Sequence, residues 1–164
     1  MPSHSLQAVC VALADLLQQK RWMLATAESC TGGMVAAACT DLAGSSAWFE
    51  RGLVCYSNAA KTELLGVDPA LIAQHGAVSE AVARAMAQGV LQRTPAQVAL
   101  AVTGVAGPGG GSEAKPVGTV WFGWALPGHT WTEQHHFPGD RAAVRHAATL
   151  HALTLLEQRL RALL

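Results

Sequence analysis

The segment Ala27-Glu28-Ser29-Cys30-Thr31-Gly32-Gly33 sets hydroxyls and glycines where an apolar run gives way to an alanine-rich one. A serine at the end of a strand, just ahead of a helix, is held out at a sharp turn. The free N–H groups of that helix start can stabilise a developing oxyanion or a phosphate. Ser and Thr also serve as plain N-caps, and on this segment alone both readings stand. The nucleophile elbow of α/β-hydrolases carries Gly two residues either side of Ser. Here Ala27 and Thr31 hold those places, so that arrangement is not supported.

A serine nucleophile needs a base. The seven histidines are His4, His75, His129, His135, His136, His146 and His151. They sit mostly in polar stretches or in the last helical stretch, where ordinary surface or partly buried roles account for them. A lysine replaces imidazole when burial or a neighbouring cation disfavours its ammonium form. Of Lys20, Lys61 and Lys115, Lys61 follows Tyr56-Ser57-Asn58-Ala59-Ala60 at the start of a short helix after an apolar strand. Tyr56 is the only tyrosine, and its phenol can relay a proton or help hold the base. By residue type alone, Ser29, Lys61 and Tyr56 form a candidate set. A solvated helix residue is the alternative reading of Lys61.

Thr103 to Ser112 (TGVAGPGGGS) is glycine-rich, and glycines let a backbone approach a ligand closely. No Gly-Lys-Ser/Thr ends it, so it is not a Walker A loop. Strand-like Gly118–Trp124 follows instead of a helix, so a dinucleotide fingerprint fails in context. A long surface loop is the other reading. Gly139-Asp140-Arg141 opens the last helix, with Arg145 one turn on. A cation there faces the unfavourable end of the helix dipole. Arg141 therefore either pairs with a nearby carboxylate or joins the helix end in receiving an anion.

The elements that must position these groups follow from hydrophobic periodicity. Leu6, Val9, Cys10, Leu13, Leu16 and Leu17 predict an amphipathic first helix. Trp22–Ala27, Trp48–Tyr56 and Val98–Val102 read as strands, the last fully buried. Thr119–Leu126 and His129–Phe137, separated by Pro127-Gly128, predict a hairpin. Helices are expected at Met34–Cys39, at Asn58–Leu65, after Asp68-Pro69, after Ser79, and from Asp140 almost to Leu164. Helices between strands, with one hairpin, predict a single α/β domain over residues 1–164: a three-layer α/β/α arrangement with a mixed central sheet.

Composition bounds the function. Of 164 residues, 51% are apolar and 13% charged, ample for a buried core, and eleven basic residues balance eleven acidic ones. Long-range attraction to nucleic acid is not indicated. No segment approaches the ~20 apolar residues of a membrane span. Cys10, Cys30, Cys39 and Cys55 form no C-x-x-C pair, and no His/Cys/Asp/Glu group stands at metal-ligand spacing. With no secretory signal in the first twenty residues, a reduced cytoplasmic thiol set is expected, without metal or cofactor.

Taken together, the motifs Ala27–Gly33 (AESCTGG), Gly44–Gly52 (GSSAWFERG), Tyr56–Lys61 (YSNAAK), Gln74–Ser79 (QHGAVS), Thr103–Pro108 (TGVAGP) and Gly111–Phe122 (GSEAKPVGTVWF) occur in order. The chain resembles the CinA C-terminal domain family over roughly residues 5 to 160. The N-terminal domain of the longer CinA proteins is absent, and its activity is not carried over. The resemblance implies hydrolysis of nicotinamide mononucleotide to nicotinate mononucleotide and ammonia, in pyridine-nucleotide salvage. It implies Ser29 as nucleophile with Lys61 and Tyr56 assisting, and places Ser46, Thr103 and Arg141 along the pocket. With Thr31, Gly32, Gly33 and Gly104 these make up the expected substrate-binding set. It also implies a homodimer. The competing expectations are a nucleotide-binding regulatory module without turnover, tied to competence or DNA-damage response, and an interaction protein using Trp48, Phe49, Trp121, Phe122 and Trp124.

Overall fold

The structure is a computed structural model that describes residues 5–163, so His4 lies outside the described residues. Strands β1 (Leu24–Glu28), β2 (Phe49–Val54) and β3 (Val98–Gly104) pair in parallel; β4 (Thr119–Leu126) and β5 (His129–His136) extend the sheet antiparallel. The order is β2-β1-β3-β4-β5. Leu126 stands opposite His129, so Pro127-Gly128 forms the expected hairpin turn.

Side-chain size alternates along the central strands. Leu24, Val98, Leu100, Val102, Val120, Phe122 and Trp124 point to one face, where α1 (Leu6–Lys20), α2 (Met34–Thr40) and α6 (Arg141–Ala162) cover them. Ala25, Ala27, Ala99, Ala101 and Ala125 point to the other, under α3 (Asn58–Leu65), α4 (Pro69–His75) and α5 (Glu80–Arg93). The period of two puts large residues on one side and alanines on the other. On the alanine side α5 approaches closely: a Cβ at Gly123 would stand 2.5 Å from the Ala83 carbonyl oxygen. This is the predicted three-layer mixed-sheet architecture. Trp48, Phe122 and Trp124 are buried in it, which corrects the reading of these aromatics as an interaction surface.

The helices start where the sequence marks them. Ser5, Ser57, Asp68, Ser79 and Asp140 each accept a backbone N–H as N-cap of α1, α3, α4, α5 and α6. No helix among the described residues is long and apolar enough to cross a membrane.

From β1 the chain runs through α2 to β2 on one side of β1. It then returns through α3, α4 and α5 on the opposite face to β3 on the other side. The direction of winding reverses at β1. In open α/β sheets such a reversal leaves a crevice at the carboxyl ends of the strands, the usual place for a ligand. Ser29 follows the last residue of β1.

Candidate active site

Alternation along β1 separates two neighbouring side chains. Ala25 and Ala27 face α3–α5, and Ser29 continues that row; Leu24 faces α2, and Glu28 continues the other. Glu28 is buried, and its Oε1 accepts from the Thr31 hydroxyl at 2.6 Å and the Val35 N–H at 2.8 Å. Its Oε2 accepts from the Ala36 N–H at 3.0 Å. The residue at the cap position, Gly33, has no side chain to do this. Glu28 therefore caps α2 from the preceding strand, and the positive end of the helix compensates its charge. The intervening turn needs left-handed backbone at Gly32 (φ +59°) and Gly33 (φ +109°), conformations that glycine adopts freely. From α6, Arg145 donates through Nε to the Cys30 carbonyl at 3.0 Å and through Nη2 to the Thr31 carbonyl at 3.3 Å. Glu28 and Arg145 thus grip the serine turn from below and from the side.

The main chain sets Ser29 firmly. Its N–H donates to the Val102 carbonyl at 2.9 Å, and the Cys55 N–H donates to the Glu28 carbonyl at 2.8 Å. The strand pairing thus runs on to both sides of the serine. Cys55–Ser57 leads from β2 into α3, which delivers Lys61 to the same face. Lys61 Nζ lies 3.1 Å from Ser29 Oγ and donates to the Tyr56 carbonyl at 3.1 Å. Ser29 Oγ also donates to that carbonyl, at 3.4 Å. Lys61 is only 1% exposed and forms no ion pair among the described residues. Burial pushes its ammonium below the usual lysine range, while the Cys55 and Cys30 thiols act weakly the other way. The solvated-helix reading of Lys61 is thereby corrected. The thiol next to the serine does not compete for the role, because burial raises Cys30 to about 11.

The other expected residues divide. Tyr56 is exposed, and its phenol lies 3.3 Å from Arg141 Nη2, not beside Lys61. It is the Tyr56 carbonyl that meets the base. Arg141 Nη1 donates to the Gly107 carbonyl at 2.8 Å. Its partners are therefore a phenol and a carbonyl, and the carboxylate pairing is corrected. Arg141 lines a cavity of about 470 Å³ with Ala106, Pro108, Val117, Gly139 and Asp140, within the size range of small-molecule sites. An apolar groove of about 480 Å³ lies between α3 and α4, along Asn58, Thr62, Pro69 and Ile72, and includes none of the expected residues.

Thr31 and Thr103 are corrected as ligand donors. Both are buried, and their protons go to Glu28 and, at 2.9 Å, to the Ala77 carbonyl. Gly104 ends β3 instead of opening the loop, and a Cβ there would stand 3.1 Å from Cys30 Sγ. It gives the serine turn room to pack. Ser46 is not brought to the site. It lies in the short turn Ser45–Ala47 ahead of β2, and β2 runs parallel to β1 with Phe49 opposite Leu24 and Val54 opposite Glu28. Ser46 thus stands at the amino end of the sheet, roughly 15 Å of strand away from Ser29. None of the described histidines hydrogen-bonds Ser29 or Lys61.

Sequence reasoning missed Glu28 and the hold of Arg145 on the serine turn. A carboxylate directly before Ser29, with glycine at the cap position, is the signal that pointed to the first. The chain offers no local sign of the second.

The profile of the CinA C-terminal domain matches residues 6–160. The nicotinamide-nucleotide amidohydrolase PncC of Enterobacter agglomerans is 53% identical over 154 residues, covering 93% of this chain and 94% of that protein. The protein of the same name from Escherichia coli (strain K12) is 50% identical over 159 residues, covering 96% of each. The crystal structure of the competence damage-inducible protein A from Klebsiella pneumoniae superposes with a TM-score of 0.92 at 40% identity, over 96% of this chain and 98% of that one.

Proposed function

Since the chain belongs to the CinA C-terminal domain family, we propose that it is an amidohydrolase converting nicotinamide mononucleotide to nicotinate mononucleotide and ammonia, with Ser29 as nucleophile. The observation that carries the reading is the buried amine of Lys61 at 3.1 Å from Ser29 Oγ. A pocket that only bound a nucleotide would have no use for a desolvated amine on a serine.

In this reading neutral Lys61 takes the Ser29 proton as Oγ attacks the carboxamide carbon. The Tyr56 carbonyl keeps Lys61 Nζ aimed at Oγ throughout. The backbone N–H groups of Thr31 and Gly33 receive the oxyanion; that of Gly32 donates to the Ser29 carbonyl at 3.0 Å, and those of Val35 and Ala36 are engaged by Glu28. Protonated Lys61 returns its proton to the departing ammonia, and water then hydrolyses the acyl-enzyme. Arg141, oriented by the Tyr56 phenol and the Gly107 carbonyl, binds the 5′-phosphate in the adjoining cavity. Four free, buried cysteines fit a reducing cytoplasmic setting.

The direct test incubates the protein with nicotinamide mononucleotide and measures ammonia and nicotinate mononucleotide. The two form in equal amounts; absence of both with folded protein overturns the proposal. Arg141→Ala raises KM more than it lowers kcat, because a phosphate contact is alike in ground and transition states. Equal kcat/KM on the riboside and the nucleotide would return Arg141 to a purely structural role.

The pH profile has a defined sign. Only neutral Lys61 accepts a proton, so kcat/KM rises with pH through the Lys61 titration in the free enzyme. Its midpoint falls below the usual lysine value of about 10.4 because burial disfavours the ammonium. A limb centred at or above that value is the contrary result.

A further inference from the structure

On the outer strand β5, three positions from β1 in the sheet order, Glu133 and His135 converge with His151. One ligand atom from each lies within 4.8 Å of the other two. Glu133 and His135 are two apart on β5 and so share a face, while His151 reaches them from α6. The spacing along the chain conceals the group, because its third member belongs to another element. His151 Nε2 and Glu133 Oε1 are 2.7 Å apart, with side-chain exposures of 19% and 34%. The imidazoles of His135 and His151 stand 4.8 Å apart between centroids, at 33°. Phe137 packs on both, at 4.4 Å and 5.6 Å, and Phe122 on His151 at 4.9 Å. An apolar wall thus holds two imidazoles and one carboxylate facing one another, with the exposed His135 on the open side.

We propose that Glu133, His135 and His151 form a binding site for a divalent first-row transition cation, of which Zn²⁺ is the test case, fastening β5 to α6. Two imidazoles and one carboxylate suit Zn²⁺, Co²⁺ or Ni²⁺; Mg²⁺ and Ca²⁺ prefer oxygen ligands. Tetrahedral Zn²⁺ at about 2.0–2.2 Å from each ligand needs the three atoms roughly 3.3 Å apart. The His151–Glu133 edge must open slightly and the exposed His135 must swing in, a small adjustment for a surface side chain. Water takes the fourth position. Coordination through His151 Nε2 moves that ring's proton to Nδ1, so no net proton is lost from the ring. The guanidinium of Arg159, stacked over Trp124 and Trp131 at 5.1 Å and 4.7 Å, is the nearby positive charge, and it makes no ion pair with Glu133. The carboxylate stays available to a metal.

The site lies three strands from β1 in the sheet order, so its occupancy and the Ser29 chemistry can be measured separately. The experiment titrates Zn²⁺, Co²⁺ and Mg²⁺ into the metal-stripped full chain. It follows thermal unfolding, calorimetric stoichiometry and the visible Co²⁺ spectrum. One Zn²⁺ binds per chain and raises Tm by several degrees, whereas Mg²⁺ does neither. Co²⁺ shows ligand-field bands without thiolate charge transfer, which separates the site from the four cysteines. His135→Gln, at an exposed position, keeps the metal-free Tm and weakens Zn²⁺ binding at least about tenfold; Glu133→Gln behaves likewise. No Tm shift with Zn²⁺, a thiolate band with Co²⁺, or undiminished Zn²⁺ binding by His135→Gln each overturns the proposal.

Discussion

Ser29→Ala and Lys61→Met each lower kcat for deamidation by ~10³-fold or more, and the double variant is little worse than either single one. A thousandfold loss is about 4 kcal/mol of transition-state stabilisation, the scale of losing a nucleophile or the base that activates it. Non-additivity follows because Lys61 Nζ, 3.1 Å from Ser29 Oγ, takes the proton that Oγ gives up as it attacks, so the two groups act as one unit. The two substitutions part company in stability. Burial lowers the folded-state pKa of Lys61. Between that value and the unfolded pKa the unfolded chain binds more protons, so stability rises with pH through this window. Below it the protein carries a buried ammonium with no carboxylate partner, a cost that Lys61→Met removes. Lys61→Met therefore loses activity while its Tm at neutral pH rises, and Ser29→Ala leaves Tm nearly unchanged. A Lys61→Met protein with lowered Tm, or a folded Ser29→Ala protein near wild-type rate, contradicts the assignment.

Glu28→Ala has the second large effect, on both stability and rate. It removes one carboxylate and strands two buried donors, the Thr31 hydroxyl and the Val35 N–H, together with the half-buried Ala36 N–H. Hydrogen bonds to a charged acceptor, with donors left unsatisfied in the interior, amount together to about 3–5 kcal/mol. In a domain of this size that lowers Tm by roughly 10 °C. The serine turn loses its lower support, so kcat falls in the fraction that still folds. Glu28→Gln keeps the shape and part of the accepting capacity and falls between wild type and Glu28→Ala on both measures. Unchanged Tm and kcat in Glu28→Ala would show that α2 and the serine turn do not depend on this cap.

The fold was legible because periodicity and breakers agree: the caps of α4, α5 and α6 and the hairpin turn stand where the sequence marks them, and only α2 takes its cap from outside, from Glu28. Ser29 and Lys61 were legible for the same reason, since both sit at strand-to-helix junctions. The errors at Thr31 and Thr103 share one cause. A hydroxyl's residue type does not reveal where its proton goes, and Thr31 and Thr103 spend theirs on Glu28 and on the Ala77 carbonyl. Tyr56 was singled out for its phenol, whereas it is its carbonyl that meets Lys61. Ser46 could have been placed from topology alone. A residue just ahead of a strand parallel to β1 must lie at the end opposite to Ser29. Arg145 acts on residues 115 positions away, beyond the reach of any local pattern.

The helix α6 supplies both arginines, yet it comes last in chain order among the described elements. On the ribosome the serine turn leaves the tunnel first and waits for Arg145 to follow. At common elongation rates the delay is on the order of ten seconds. Throughout that interval the carbonyls of Cys30 and Thr31 have no guanidinium to hold them, and the cavity beside Gly107 lacks Arg141. A nascent chain that has already paired β1 with β3 is thus a sheet whose serine turn still lacks the guanidinium that holds it, and the turn is complete only once the start of α6 has left the tunnel.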